Sequence, residues 1–220
     1  MKSVLLIGAT GLVGQNCLTA LLAEKWVSTI TVLTRRPLEI KDKKIIYEQV
    51  DFDNIEKFKH RIKADVMISA FGTTIKKAGF NKELFYKWEV EYPLNTARIA
   101  LANGCSQFIF VSAAGINEDS PFFYSKTKAK MERLAEEIGF HSLDIFKPSF
   151  LIGRRDEIRP AEIIFDKITP IMNILCQGPF EKYKPIEAHD VALAMVKTAK
   201  EPEPGVHRYN WSDMQSILRQ

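Results

Sequence analysis

The sequence predicts an α/β fold in which a doubly wound parallel sheet carries helices on both faces, with a small cap toward the C-terminal end. Two observations carry this reading. Short apolar runs alternate with longer segments of helical period, as strands buried on both faces require. A glycine triplet also stands between the first run and the first helical segment.

The apolar runs are Val4–Ile7, Ile30–Leu33, Ile45–Val50, Val66–Ala70, Phe108–Val111 and Leu143–Phe146. Right-handed crossovers between such strands then set the topology. Between the first two runs, Gly11 to Lys25 carries Leu12, Val13, Leu18, Leu21 and Leu22 on one stripe. Asp53-Asn54-Ile55-Glu56 reads as a capping box opening a short helix. Pro93 falls in the first turn of a helix from Tyr92 to Asn103, and Gly104 is its expected stop. Ser120-Pro121 opens a helix that runs to Ile138 and ends at Gly139. After Pro148 the alternation gives way to a proline-rich stretch holding Pro160, Pro170, Pro179, Pro185, Pro202 and Pro204. Residues 149–220 are therefore expected to form an irregular cap of two or three helices packed directly on the sheet, with 1–220 as a single domain.

Composition narrows the function classes. The 220 residues, 46% hydrophobic, suffice for one sizeable core. The net charge of +4 is too small and too dispersed to point to nucleic acid. The three cysteines, Cys17, Cys105 and Cys176, are odd in number and far apart. That pattern argues for spectator thiols in a reducing compartment, not a disulfide framework or a metal site, and a cytoplasmic location is the expectation. The apolar run after Met1-Lys2 stops at Gly8, too short for a signal peptide, and no later run spans a bilayer. A soluble, unprocessed chain without membrane partners, monomeric or homodimeric, is expected.

Gly8-Ala9-Thr10-Gly11-Leu12-Val13-Gly14 lies at a strand-to-helix junction. There the first glycine permits a tight turn, the second admits a pyrophosphate close to the backbone, and the third lets helix and strand pack. Free amides and the positive end of the helix dipole hold the phosphates. This makes the sheet Rossmann-type, with Gly8, Thr10, Gly11, Leu12 and Val13 as coenzyme contacts. An NAD site places an acidic residue at the end of the second strand. Here Thr34-Arg35-Arg36 stands there, and arginine suits a 2′-phosphate, so NADP (NADPH) is the expected coenzyme. Asp51 and Phe52, after the third strand, are placed at the adenine, with Asp51 also readable as a turn residue. Phe71-Gly72-Thr73-Thr74, at the carboxyl end of the fourth strand, are assigned to phosphate and ribose.

Tyr124 and Lys128 share one helix face. An ammonium beside a phenol stabilises the phenolate, so this tyrosine can pass a proton to a carbonyl oxygen or take one back, and Lys128 is also assigned to hydrogen-bond the nicotinamide ribose. Tyr-x-x-x-Lys alone is a weak pattern, and Lys126 and Lys130 show that the segment is lysine-rich, so a solvated face is the competing reading. Ser112, at the carboxyl end of the fifth strand, is the candidate to orient a substrate carbonyl. Arg154, Arg155 and Arg159 are candidates to meet an acidic substrate or to form a solvated cluster. His189 is assigned a structural role, with Asp190 capping the helix that follows.

Together these residues resemble the short-chain dehydrogenase/reductase superfamily. The glycine loop, the strand-end serine and Tyr-x-x-x-Lys stand in the order of that superfamily. Lys147-Pro148-Ser149-Phe150 and Ile186-Glu187-Ala188-His189-Asp190-Val191-Ala192 are similar to its extended and atypical branches. Phe71-Gly72-Thr73-Thr74 with Lys77-Ala78-Gly79, Gly104-Cys105 and Arg154 through Pro160 resemble the Tat-interacting-protein-like oxidoreductases, an atypical branch. The resemblance implies NADPH binding, reductase activity, and Pro148 beside the nicotinamide. In extended members the catalytic hydroxyl falls one residue beyond Ser112, where this chain has Ala113. The leading expectation is an NADP-dependent reductase of a small carbonyl compound. A non-catalytic NADPH-sensing protein is the alternative. A nucleotide-sugar epimerase or dehydratase ranks last, because residues 149–220 are few for its substrate domain.

Overall fold

The computed structural model describes residues 1–35, 37, 41–153 and 178–219. Arg36, Arg154, Arg155, Arg159 and Cys176 lie outside the described residues.

Seven parallel strands form the main sheet: β1 (Lys2–Ile7), β2 (Val27–Thr34), β3 (Ile45–Gln49), β4 (Val66–Ser69), β5 (Gln107–Val111), β6 (Ser142–Phe146) and β9 (Gly205–Tyr209). A separate two-stranded sheet pairs β7 (Leu151–Ile152) with β8 (Ile186–Glu187) in parallel. In the main sheet the order is β3-β2-β1-β4-β5-β6-β9. The chain winds outward from β1 in both directions, so β1 and β4 meet at the switch point where ligands of such sheets bind.

Each face of the sheet has its own core. Along β1, Val4 and Leu6 point to one face and Leu5 and Ile7 to the other, all fully buried. The first face is covered by α1 (Leu12–Ala23), α5 (Ala188–Lys200) and α6 (Trp211–Arg219). The second is covered by a 3-10 helix (Phe52–Arg61), by α3 (Tyr92–Ala102) and by α4 (Phe123–Glu136). Cys17 and Cys105 are free thiols in these cores, and burial pushes both up to about 12. That suits spectators rather than nucleophiles.

Several expectations change. The seventh strand, β9, was hidden because Gly205-Val206-His207-Arg208-Tyr209 is an edge strand with polar side chains and no apolar run. Much of the stretch expected as a cap thus belongs to the main layers, since β9 extends the sheet and α5 packs on α1. The 3-10 helix is capped by Asp51, whose carboxylate accepts from the Asp53 amide, so the expected capping box at Asp53 is displaced by two residues. The helix before Pro93 also begins earlier than expected. It starts with α2 (Lys82–Tyr86), capped by Asn81, and passes through a π turn (Lys87–Glu91) into α3. Proline has no N–H to donate into a regular turn, and the widened turn directly before Pro93 absorbs that loss. Ser120 precedes α4 and accepts from the Phe122 amide, so α4 starts three residues later than Ser120 implies. At α5 the N-cap is Glu187 and Asp190 lies within the first turn, so Asp190 is not the cap.

Candidate functional site

The glycine loop closes on itself through the Gly11 amide, which donates to the Gly8 carbonyl at 2.9 Å. Gly8 has φ of +80°, and a Cβ there would come within 2.5 Å of the Ala70 carbonyl carbon. The ends of β1 and β4 approach this closely only because Gly8 has no side chain. A Cβ on Gly14 would overlap the Gly8 carbonyl oxygen. No side chain caps α1, and its first turn holds no acidic residue. Its opening amides and dipole are therefore left for an anion, and the cradle fits a dinucleotide diphosphate. Thr10 and Gly11 are exposed at its lip, while the Val13 side chain is core, so Val13 has only its amide to offer.

Beside this cradle an open cleft of about 540 Å³ is lined by Arg35, Gln49, Val50, Asp51, Phe52, Phe58 and Tyr92. It brings together Arg35, Asp51 and Phe52, as placed from sequence. The Arg35 guanidinium lies 4.6 Å from the Trp88 ring centroid and 5.9 Å from that of Phe71. Phe52 stacks on Tyr92 at 5.3 Å and meets Phe71 edge-on at 5.2 Å. Asp51 serves as the turn residue: one carboxylate oxygen accepts from the Asp53 amide and the other from the Asn54 side chain. In the Phe71–Thr74 segment, the Thr74 hydroxyl accepts from the Lys77 amide and so closes a turn. The Thr73 amide donates to the Glu89 carboxylate.

Glu89, in the π turn, is the residue that sequence reasoning missed. One oxygen takes the Thr73 amide, and the other lies 2.7 Å from the Lys128 ammonium. The two side chains are 1% and 8% exposed. Lys128 also donates to the Val111 carbonyl at the end of β5. Burial pulls the Lys128 ammonium down, but the charge of Glu89, with smaller help from Tyr124 and Glu132, outweighs it and leaves Lys128 above its ordinary value. A turn earlier on α4, Tyr124 is 44% exposed, its ring 6.1 Å from Phe85. The result is an open phenol beside a buried, fully protonated ammonium.

Ser112 departs from its assigned role. It is buried, and its hydroxyl donates to Glu132, which also holds the Lys147 ammonium at 2.7 Å. Just past the end of β5 at Val111, the hydroxyl is tied to α4 through Glu132, and its proton is engaged there. Pro148 is buried next to it, and its carbonyl accepts from the Ala114 amide, tying the loops after β5 and β6 together. A Cβ on Gly153 would press on Leu12, so the chain after β6 returns across the glycine loop. His189 is exposed, with its ring 3.4 Å from the carboxylate of its neighbour Asp190, and does not line the cleft.

The family follows from this arrangement and from its relatives. The model of the "NAD dependent epimerase/dehydratase family" matches residues 4–211. The chain belongs to this family. Within it, the chain is 33% identical to the protein HTATIP2 of Rattus norvegicus over 73% of this chain and 67% of that one. It is 31% identical to the mitochondrial protein FMP52 of Candida albicans, over 90% of this chain and 88% of that one. These relatives agree with the resemblance to the Tat-interacting-protein-like group. Among solved structures, the Bordetella bronchiseptica enzyme WbmH in complex with NAD+ superposes with a TM-score of 0.71 at 16% identity, covering 96% of this chain and 76% of that one. A UDP-glucose 4-epimerase of Thermotoga maritima with UDP-glucose gives 0.68 at 12% identity, covering 94% and 76%. These two show the shared sheet.

One expectation is corrected by these relatives. The FMP52 proteins of fungi are named mitochondrial, which the cytoplasmic location inferred from composition does not accommodate. Unpaired buried thiols report a reducing environment, and that criterion does not separate one reducing compartment from another. No helix among the described residues is long and apolar enough to cross a membrane.

Proposed function

We propose that this family member is an NADP-dependent oxidoreductase that reduces a small carbonyl compound, with Tyr124 as proton donor and Lys128 as its activator. The observation that carries the reading is the half-exposed Tyr124 one helical turn from a buried ammonium that Glu89 keeps charged. NADPH, when bound, supplies the hydride. The Tyr124 hydroxyl gives its proton to the carbonyl oxygen as that oxygen gains charge, and the Lys128 ammonium steadies the phenolate left behind. Gly8, Thr10, Gly11 and the first-turn amides of Leu12 and Val13 would hold the diphosphate, and Pro148 would lie beside the nicotinamide, as the family resemblance implies. Arg35, held over Trp88 and Phe71, would meet the 2′-phosphate, and Asp51 and Phe52, which line the same cleft, would border the adenine.

The mouth near Tyr124 favours an apolar substrate. Phe80, Phe122 and Phe150 are exposed in the segments that follow β4, β5 and β6, Phe180 is exposed in the segment before β8, and Phe80 keeps a left-handed backbone with φ of +59°. A non-glycine residue in that region stores strain and marks functional segments.

The second reading, a non-catalytic NADPH-sensing protein, is favoured by one observation: the Ser112 hydroxyl is engaged by Glu132 and the next position is Ala113. The test is NADPH oxidation with a panel of aldehydes, ketones and quinones, run for the wild type and Tyr124→Phe. Turnover lost in Tyr124→Phe supports the reductase. Tight NADPH binding with no turnover on any of them supports the sensor.

A further inference from the structure

The Glu89 carboxylate is the least expected group in the cleft. It stands 39 residues before Lys128 in the chain, inside a π turn, and it is sealed from solvent. A buried carboxylate is unfavourable unless it is paired and hydrogen-bonded, and Glu89 is both. Its two partners belong to two different parts of the cleft. The Thr73 amide belongs to the segment after β4 assigned to phosphate and ribose, and Lys128 belongs to the helix that carries Tyr124.

The π turn explains how Glu89 reaches both. Tyr86 through Tyr92 stay helical, but the Tyr92 amide bonds the Lys87 carbonyl, five residues back. The wider turn shifts the register of the side chains between α2 and α3 relative to an unbroken helix. Glu89 is thereby turned toward Thr73 and Lys128 while Val90 and Tyr92 enter the second core.

We propose that Glu89 is the positioning residue of the Tyr124–Lys128 pair: it holds Lys128 in its charged form beneath the cleft and ties the 71–74 segment to α4. This rests on the reading above that Lys128 serves Tyr124. The ionisable groups acting on Lys128 are Glu89 from the π turn and Tyr124 and Glu132 from its own helix. Glu132 is itself engaged by Ser112 and Lys147, which leaves Glu89 as the direct counter-charge. Without it, desolvation is opposed only by the weaker effects of Tyr124 and Glu132, and an ammonium so deeply buried gives up its proton at lower pH. A neutral amine no longer stabilises a phenolate.

Glu89→Gln separates the two tasks, because the amide oxygen of glutamine still accepts from Thr73 while the negative charge is gone. The measurement is the NMR titration of the Lys128 Cε in lysine-labelled protein, assigned against Lys128→Ala, together with NADPH affinity. The expected result is a Lys128 titration midpoint lower by on the order of one pH unit or more in Glu89→Gln. NADPH affinity stays within about threefold, since the Thr73 bond persists. Glu89→Asp, which keeps the charge, returns the midpoint toward the wild type. An unchanged midpoint in Glu89→Gln overturns the proposal. Should Glu89→Gln not fold, Glu89→Gln/Lys128→Met leaves no lone buried charge and is expected to fold and to melt above Glu89→Gln. A double variant as unstable as Glu89→Gln also overturns it. Reductase turnover is recorded in parallel. If Tyr124→Phe retains turnover while the Lys128 titration moves as stated, the reductase reading fails and the Glu89 assignment stands. If turnover requires Tyr124 but the titration does not move, the reverse holds.

Discussion

At the coenzyme end of the cleft the parts are neighbours in sequence, whereas at the Tyr124 end they come from distant segments. Gly8 through Val13 sit in one turn, and Arg35 follows one helix and one strand later. By contrast, Lys128 depends on Glu89, and Ser112 on Glu132, across 39 and 20 residues. The first end is set by backbone geometry and a helix dipole. The second is set by buried carboxylates that decide which polar side chains face the cleft. A local pattern of residue types can therefore describe the first end well and still misassign a role at the second.

The largest expected effect probes the second end. Tyr124→Phe should lower carbonyl reduction by roughly 10²- to 10⁴-fold, the range for loss of a proton donor, with coenzyme affinity and melting temperature unchanged. A drop in stability of the same variant would show that Tyr124 is a packing residue. Gly14→Ala probes the first end through backbone contact, because its Cβ would overlap the Gly8 carbonyl oxygen. We expect a loss of about 3 kcal/mol, or roughly 6–12 °C in the melting midpoint, by calorimetry. Ser112→Ala comes next. Loss of the bond to buried Glu132 should destabilise by about 2 kcal/mol while turnover stays within about threefold. A hundredfold loss of turnover would restore Ser112 to the catalytic set.

The smallest effect lies at the opposite end of the sheet and serves as the control. Asp65 accepts from the Ser3 amide and hydroxyl, joining β4 to β1. Those bonds hold its carboxyl below the ordinary value. A carboxylate favoured in this way stabilises the fold above the usual aspartate range, and the contribution fades as pH falls through the lowered value. Asp65→Asn should therefore cost about 1 kcal/mol or less at pH 7, with the gap closing only as pH falls below the ordinary aspartate range in urea melts. No change in turnover is expected.

Much of the fold was legible because β1, β2, β4, β5 and β6 are largely buried and read as apolar runs, and the Ile45-Ile46 pair marked β3 although it is a half-exposed edge strand. The seventh, β9, was not, since His207 and Arg208 on an edge strand carry no such signal. At the glycine-loop end, the glycine spacing marked the tight turn that the structure forms after β1, and Arg35, Asp51 and Phe52 line one open cleft. Asp51 caps the turn that opens the 3-10 helix and also lines the cleft, so its two readings are compatible. At the Tyr124 end, Tyr-x-x-x-Lys found the pair but neither carboxylate behind it. Glu89 looks like an ordinary helical surface acid until the π turn before Pro93 moves it inward. Only the observation that a buried lysine needs a buried partner could have prompted a search for it.

The central claim is that the amide cradle after β1 and the arginine after β2 bind a dinucleotide carrying a 2′-phosphate. The direct measurement is calorimetric titration of NADPH and NADH into the wild type and Arg35→Ala. The account predicts tighter binding of NADPH by the wild type and a loss of about tenfold or more for NADPH in Arg35→Ala, with NADH little changed. Equal losses for both coenzymes, or no affinity for either in the wild type, would contradict it.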